Sequence, residues 1–192
     1  MKLIRNLFAL IGLLAVILLG ITYMRLSPML SELDPEFLKF YEEVGTKFLK
    51  TGDPSVAMIW AVPVEAGLTP EDVADSLKSL AASRNFLFVG ESPFYKQIEA
   101  MTGQKYRYVN IFSFCDALVG KMMLAYRDEY SAFMPCRIAL VENAKGELWL
   151  YAMNLDFVLH GGKALPEDLR INVQEVRDTI WEIMQEAARG EF

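Results

Sequence analysis

From Leu7 to Met24 the chain carries no charged residue, and Leu, Ile, Val, Ala and Phe make up most of the run. As an α-helix, eighteen such residues rise about 27 Å, close to the thickness of a bilayer's hydrocarbon core. The run exceeds the roughly 7–15 apolar residues of a usual secretory signal. Its exit, Gly20-Ile21-Thr22-Tyr23-Met24-Arg25, offers no small-x-small pair for cleavage, and Tyr23 suits a membrane interface. The segment therefore reads as a retained signal anchor over residues 1–26. No cysteine lies near it to carry a lipid.

Basic residues on the flanks set the expected orientation. Lys2, Arg5 and the amino group of Met1 precede the run, and only Arg25 follows closely before Glu32, Asp34 and Glu36. This bias favours a cytoplasmic N-terminus and a domain outside, which in a Gram-negative cell is the periplasm of the inner membrane. Thiols there can oxidise, which gives the two cysteines, Cys115 and Cys136, potential meaning.

Charge narrows the partners. All 25 acidic residues lie beyond residue 26, whereas three of the 19 basic ones precede it, so residues 27–192 carry a formal charge of −9. No cluster of Lys and Arg interrupts this, which argues against a nucleic-acid partner and against docking on anionic headgroups. A small molecule, another protein or a second copy of the chain remains. At 53% hydrophobic residues the composition exceeds that of an average soluble domain, and the N-terminal run supplies part of the excess.

Beyond the anchor, Ser27-Pro28 is expected to break the span. Asp34-Pro35-Glu36 then reads as a helix start with Asp34 as N-cap, and Phe37, Tyr41, Val44 and Phe48 form an apolar stripe. This gives a juxtamembrane helix within 27–54 and a domain over 55–192. Met58–Val64 reads as a strand that Pro63 confines to a sheet edge or its own end. Thr69-Pro70-Glu71-Asp72 opens a helix that buries Val73, Leu77, Leu80 and Ala81. A strand over 85–90 and a short helix after Ser92-Pro93 follow, the helix with Phe94, Ile98 and Met101 inward and Gly103 at its end.

Residues 109–156 form the densest block. A strand ends at Cys115, Asp116 caps a helix expected to run from Ala117 to about Phe133, and Pro135 stops it. Cys136–Glu142 and Glu147–Asn154 read as a hairpin around Asn143-Ala144-Lys145-Gly146. In its second arm Trp149, Tyr151 and Met153 alternate with Leu148, Leu150 and Ala152, so both faces are apolar and both need a cover. His160-Gly161-Gly162 reads as a turn, and a last helix from about Asn172 carries Val173, Val176, Ile180, Ile183 and Ala187 on one stripe, with Gly190 at its end.

This order of elements, with Met134-Pro135-Cys136-Arg137-Ile138-Ala139-Leu140-Val141-Glu142 and the following hairpin as its most specific part, resembles the bacterial and archaeal family known as domain of unknown function 302. The resemblance covers roughly residues 56–160, with the last helix included. It implies an α+β fold similar to the TATA-box-binding-protein-like class, an antiparallel sheet with helices packed on one face, often homodimeric. It implies no activity. Similar members place Asn-Pro after the first cysteine, where this chain has Asp116-Ala117.

Two constellations are candidates for function. If the strands bearing Cys115 and Cys136 are antiparallel neighbours, the end of one lies beside the start of the other, within reach of a disulfide, and the helix start at Asp116 is expected to lower the Cys115 pKa. Inert core cysteines, a structural disulfide and a redox pair all remain open, and the absence of Cys-x-x-Cys weakens a thioredoxin-like reading. The second candidate is a ligand or dimer face carrying Trp149, Tyr151 and Met153. His160 reads as a lone exposed histidine without a visible partner. Neither it nor Met122, Met123, Met134 and Met153 matches a metal motif, so no metal and no cofactor is expected. No hydrolase or phosphate-loop motif appears. The chain therefore reads as a membrane-tethered binding or interaction module rather than an enzyme, the alternative being a periplasmic thiol, redox or sulfur-handling protein using Cys115 and Cys136.

Overall fold

The computed structural model describes residues 2–192, with side chains from Ile4 onward; the Met1 amino group and the Lys2 side chain, both counted in the N-terminal flank, lie outside the described residues. Helix α1 (Lys2–Leu30) is continuous. Its stretch Ile4–Leu30 is long and apolar enough to cross a membrane, and none of it is buried against the rest of the protein. The break expected at Ser27-Pro28 does not occur. Pro28 sits in the last turn, where it removes only one N–H bond, and the Ser31 hydroxyl donates to the Pro28 carbonyl at 2.8 Å.

Helix α2 (Phe37–Thr51) begins later than the sequence suggests. Asp34 is not its N-cap but folds the preceding turn, accepting from the Glu36 N–H at 2.9 Å. The buried residue of α2 is Phe40, while Tyr41 and Phe48 of the expected stripe are largely exposed. A single turn, α3 (Pro54–Ala57), leads into the domain.

Five strands follow: β1 (Ile59–Pro63), β2 (Leu87–Ser92), β3 (Val109–Cys115), β4 (Cys136–Glu142) and β5 (Leu148–Met153). They form one sheet in the order β1-β5-β4-β3-β2, with every neighbouring pair antiparallel. Pro63 lies on edge strand β1, where its missing N–H costs no interior ladder bond. The helices between and after the strands are α4 (Pro70–Ser83), α5 (Phe94–Thr102), α6 (Ala117–Tyr126), α7 (Asp156–His160) and α8 (Glu167–Ala187). The capping box at Thr69 and Asp72 is complete: the Thr69 hydroxyl accepts from the Asp72 N–H, and the Asp72 carboxylate accepts from the Thr69 N–H.

One face of the sheet is covered by α4 and α8. Val73, Leu77 and Leu80 of α4 and Ile180, Ile183 and Met184 of α8 pack on Trp60, Phe112, Phe114, Ile138, Leu140 and Leu150. A second cluster joins Val119 and Met123 of α6 to Val158, Leu159 and Val173 beyond the end of the sheet. Three boundaries differ from the sequence expectation. Helix α6 ends at Tyr126 because Arg127 turns extended (φ −157°), and a 3-10 turn over Asp128–Phe133 follows. Helix α8 starts at Glu167, where Pro166 precedes a first turn holding Glu167 and Asp168 against the positive helix end. Finally, α5 buries none of its residues, and Phe94 and Met101, expected inward, are exposed.

Candidate functional site

The two faces of the sheet differ in what covers them. Along β3, residues alternate between partly exposed and buried, with Asn110, Phe112 and Phe114 buried; β4 buries Ile138 and Leu140, β5 buries Leu150 and Ala152, and β1 buries Trp60. All of these point to the helices. No strand residue on the opposite face is buried, yet that face is apolar: Ile59 and Ala61 on β1, Trp149, Tyr151 and Met153 on β5, Ala139 and Val141 on β4, Val109 and Ile111 on β3. An exposed apolar sheet face of this kind is a candidate interaction surface. Trp149, Tyr151 and Met153 all lie on it, and the Trp149 and Tyr151 rings run nearly parallel, 6.1 Å apart and 13° off plane.

Register gives this face its relief. Ala61, Tyr151, Ala139 and Ile111 stand side by side across β1, β5, β4 and β3. Ala139 is the small member between Tyr151 and Ile111, so the surface dips there. The dip runs into an open cleft of about 280 Å³ at the sheet end, lined by Ile59, Phe133, Pro135, Arg137 and Met153 and, on its inner side, by the core residues Ala152, Leu155 and Ile180. Tyr151 and Met153 line it, whereas Trp149 borders a separate groove between the loop at Gly67 and the β4–β5 hairpin. Arg137 is exposed and is the one ionisable side chain in the cleft apart from Cys136 and Tyr151; among the described residues it has no hydrogen-bond or ion-pair partner.

The cleft lies at the end of the sheet nearest the segment that leaves α1. β1 starts there at Ile59 and β5 ends there at Met153, with the Asn154 N–H donating to the Met58 carbonyl at 2.9 Å. The segment leaving α1 is fastened to the chain just beyond β5. Asp34 N–H donates to the Gly162 carbonyl at 3.0 Å, Ala164 N–H donates to the Glu32 carbonyl at 2.9 Å, Leu33 bridges Lys163, and the Tyr41 hydroxyl donates to the Gly161 carbonyl at 2.9 Å. His160 Nδ1 donates to the buried Asp34 carboxylate at 2.8 Å. An aromatic series then runs from Phe40 of α2 through Phe157 (6.3 Å) to the cleft wall at Phe133 (6.1 Å). The histidine expected to be lone and exposed is thus partly buried and paired, with a residue 126 positions away.

The cysteine-bearing strands are the antiparallel neighbours the sequence suggests. The register, however, sets Cys136 opposite Phe114, while Cys115 stands opposite Leu87 of β2. Strand alternation directs the Cys115 Cβ away from the face that Phe114 and Cys136 share, and both thiols are free. The expected lowering of the Cys115 pKa is overturned. Burial pushes this thiol up, and the Asp116 carboxylate adds to the shift. Asp116 also occupies the helix start itself, accepting from the N–H groups of Leu118 (2.9 Å) and Val119 (3.0 Å), so those amides are not available to a thiolate. Cys136, packed against the core, is pushed up to about 11, chiefly by burial. Two neutral thiols at physiological pH are poor nucleophiles.

Two other arginines are paired within the fold. Arg177 forks onto Asp156 (2.7 and 3.2 Å), reaches Asp178 at 2.9 Å and lies over the Trp60 ring; Arg84 grips both carboxylate oxygens of Glu186 at 2.7 Å. Among the described residues no group of three His, Cys, Asp or Glu is placed to hold a metal ion.

An antiparallel five-stranded sheet with helices on one face and a long apolar N-terminal helix defines an α+β domain on a candidate membrane anchor. The family described as Domain of unknown function DUF302 matches residues 60–187, and the chain belongs to it. The crystal structure of an uncharacterized conserved DUF302 protein from Bacillus stearothermophilus is similar in fold, with a TM-score of 0.55 and 11% identity over 69% of this chain and 98% of that one. No curated protein matches. Helix α1, Asp34 and α2 precede the matched residues, so the Asp34 side of the latch to His160 lies outside the match.

Proposed function

We propose that this chain is a single-pass membrane protein whose domain faces the extracytoplasmic side, the periplasm in a Gram-negative cell, and works as a binding module through the helix-free face of its sheet. The observation that carries this reading is the one-sided burial of the strands: every buried residue faces α4 and α8, and the opposite face is apolar, uncovered and hollowed at Ala139. A dry cavity of about 150 Å³ accepts benzene, so a cleft of about 280 Å³ takes an apolar body roughly twice that size. Small-molecule sites are apolar clefts with few polar groups, as here. The raised pKa values of both cysteines favour this reading over thiol chemistry.

Octanol binding to the full chain in phosphatidylcholine discs, followed by calorimetric titration against empty discs, tests the proposal. Saturable binding that Ala139→Trp abolishes by filling the cleft is the expected result. Non-saturable partitioning identical in both proteins would contradict it. Size measurement of the discs separates this from the competing cover, a second copy of the chain.

A further inference from the structure

We propose that the ligand of this cleft is a single-chain amphiphile with a carboxylate headgroup, drawn from the bilayer beside it, with Arg137 as the residue that selects the charge. The inference rests on the binding reading above and gives it a chemical class.

Three observations converge on it. The first is the contrast of charge: the domain carries nine more acidic than basic residues beyond position 26, yet the only permanently charged side chain lining the cleft is a cation. Arg137 follows Cys136 at the start of β4, pairs in register with Ser113, and projects from the same face as Ala139. Its guanidinium has no hydrogen-bond or ion-pair partner among the described residues; Arg84, Arg170, Arg177 and Arg189 are each matched to carboxylates, and Arg107 and Arg127, without a carboxylate, lie over Tyr106 and Tyr126. A planar guanidinium presents paired N–H donors that fit a carboxylate in fork geometry.

The second is the composition of the other walls. Ile59, Ile111, Phe133, Met153 and the Tyr151 ring offer no further charge, and Ala139 leaves the floor open to a chain of methylenes. An anion without an apolar body would leave these walls wet, and an apolar body without an anion would leave Arg137 unmatched.

The third is position. The cleft is at the sheet end joined to the tether, and Phe133 in its wall connects through Phe157 to Phe40 of the juxtamembrane helix. Only Ser31-Glu32-Leu33 separate the end of α1 from Asp34, which the latch holds against the domain. An occupant with one foot in the bilayer therefore has a short path to the cleft, and a single chain suits its volume where two would not.

The test uses the full chain in phosphatidylcholine discs with octanoate and octanol as probes. Octanoate is expected to bind about tenfold or more tightly than octanol, the difference made by a charge-assisted hydrogen bond. Arg137→Gln should erase that difference, and Arg137→Lys should restore part of it. Phosphatidylglycerol, an anionic two-chain lipid, should leave octanoate affinity unchanged when added to the discs. Equal affinity for both probes, or an octanoate preference that survives Arg137→Gln, would overturn the carboxylate assignment with the binding reading intact. Competition by phosphatidylglycerol would overturn the single-chain assignment. Failure of both probes to bind in a saturable way would remove the binding reading itself.

Discussion

His160 Nδ1 lies 2.8 Å from the carboxylate of Asp34, joining the segment that leaves the apolar helix to the turn that follows the last strand. Asp34 is almost fully buried, and its other contact is the Glu36 N–H at 2.9 Å. Together with the Tyr41–Gly161 and Asp34–Gly162 hydrogen bonds, the pair fastens the segment that follows α1 to the turn beyond the last strand.

Removing the imidazole should release that attachment without unfolding the sheet. His160→Ala leaves a buried carboxylate one partner short, which costs about 1–3 kcal/mol. Amide hydrogen exchange over residues 32–41 should accelerate accordingly, while β3 and β4 keep their protection. Equal acceleration in the strands would show that the latch is part of the global fold.

Asp116 makes a sharper test of the thiol environment, because its two roles can be separated. Asn is as good an N-cap as Asp, so Asp116→Asn should keep the bonds to Leu118 and Val119 and leave stability nearly unchanged. It removes the negative charge that helps hold the Cys115 thiol protonated, so the Cys115 pKa should fall and alkylation by iodoacetamide at pH 8 should speed up. An unchanged alkylation rate would mean that burial alone sets this thiol.

Cys136 predicts a loss of stability in alkali. Its folded-state value, about 11, exceeds the ordinary thiol value of 9, so above pH 9 the unfolded chain binds fewer protons than the folded one. The contribution is fully present below pH 9, declines as pH rises, and is gone above about pH 11, amounting at most to on the order of 2 kcal/mol. Denaturant midpoints measured from pH 8 to 11 should show a decline that Cys136→Ala makes smaller, the remainder coming from groups such as Cys115 whose pKa is also raised. A midpoint that rises over this range would contradict the assignment.

Much of the domain could be read from local chemistry. Thr69 and Asp72 announce their capping box, Gly146 supplies the positive φ of the hairpin, and the alternation of Trp149, Tyr151 and Met153 with Leu148, Leu150 and Ala152 identifies a second apolar face. Neighbouring cysteine strands were also legible, but their register was not. A one-residue offset decides which face a side chain takes, and only the pairing of Phe114 with Cys136 reveals it. The cleft required the same information, since Ala139 becomes a floor only once Ile111 and Tyr151 flank it. The Asp34–His160 pair had no local signal at all, because neither residue's neighbours point to a partner so far along the chain. Phe94 and Met101 illustrate the opposite failure: helical spacing suggests a buried stripe on α5, but both side chains are exposed and no residue of the helix is fully buried.

Adjacent residues of β5 give the most direct test of whether the helix-free face serves binding rather than folding. Leu150 is fully buried under α4 and α8, while Tyr151 lies partly exposed on the other side. Leu150→Ala should cost about 2–5 kcal/mol, whereas Tyr151→Ala should cost less than about 1 kcal/mol and weaken octanol and octanoate binding. Equal destabilisation by the two substitutions, with ligand affinity untouched by Tyr151→Ala, would show that this face is a covered part of the fold and not a binding surface.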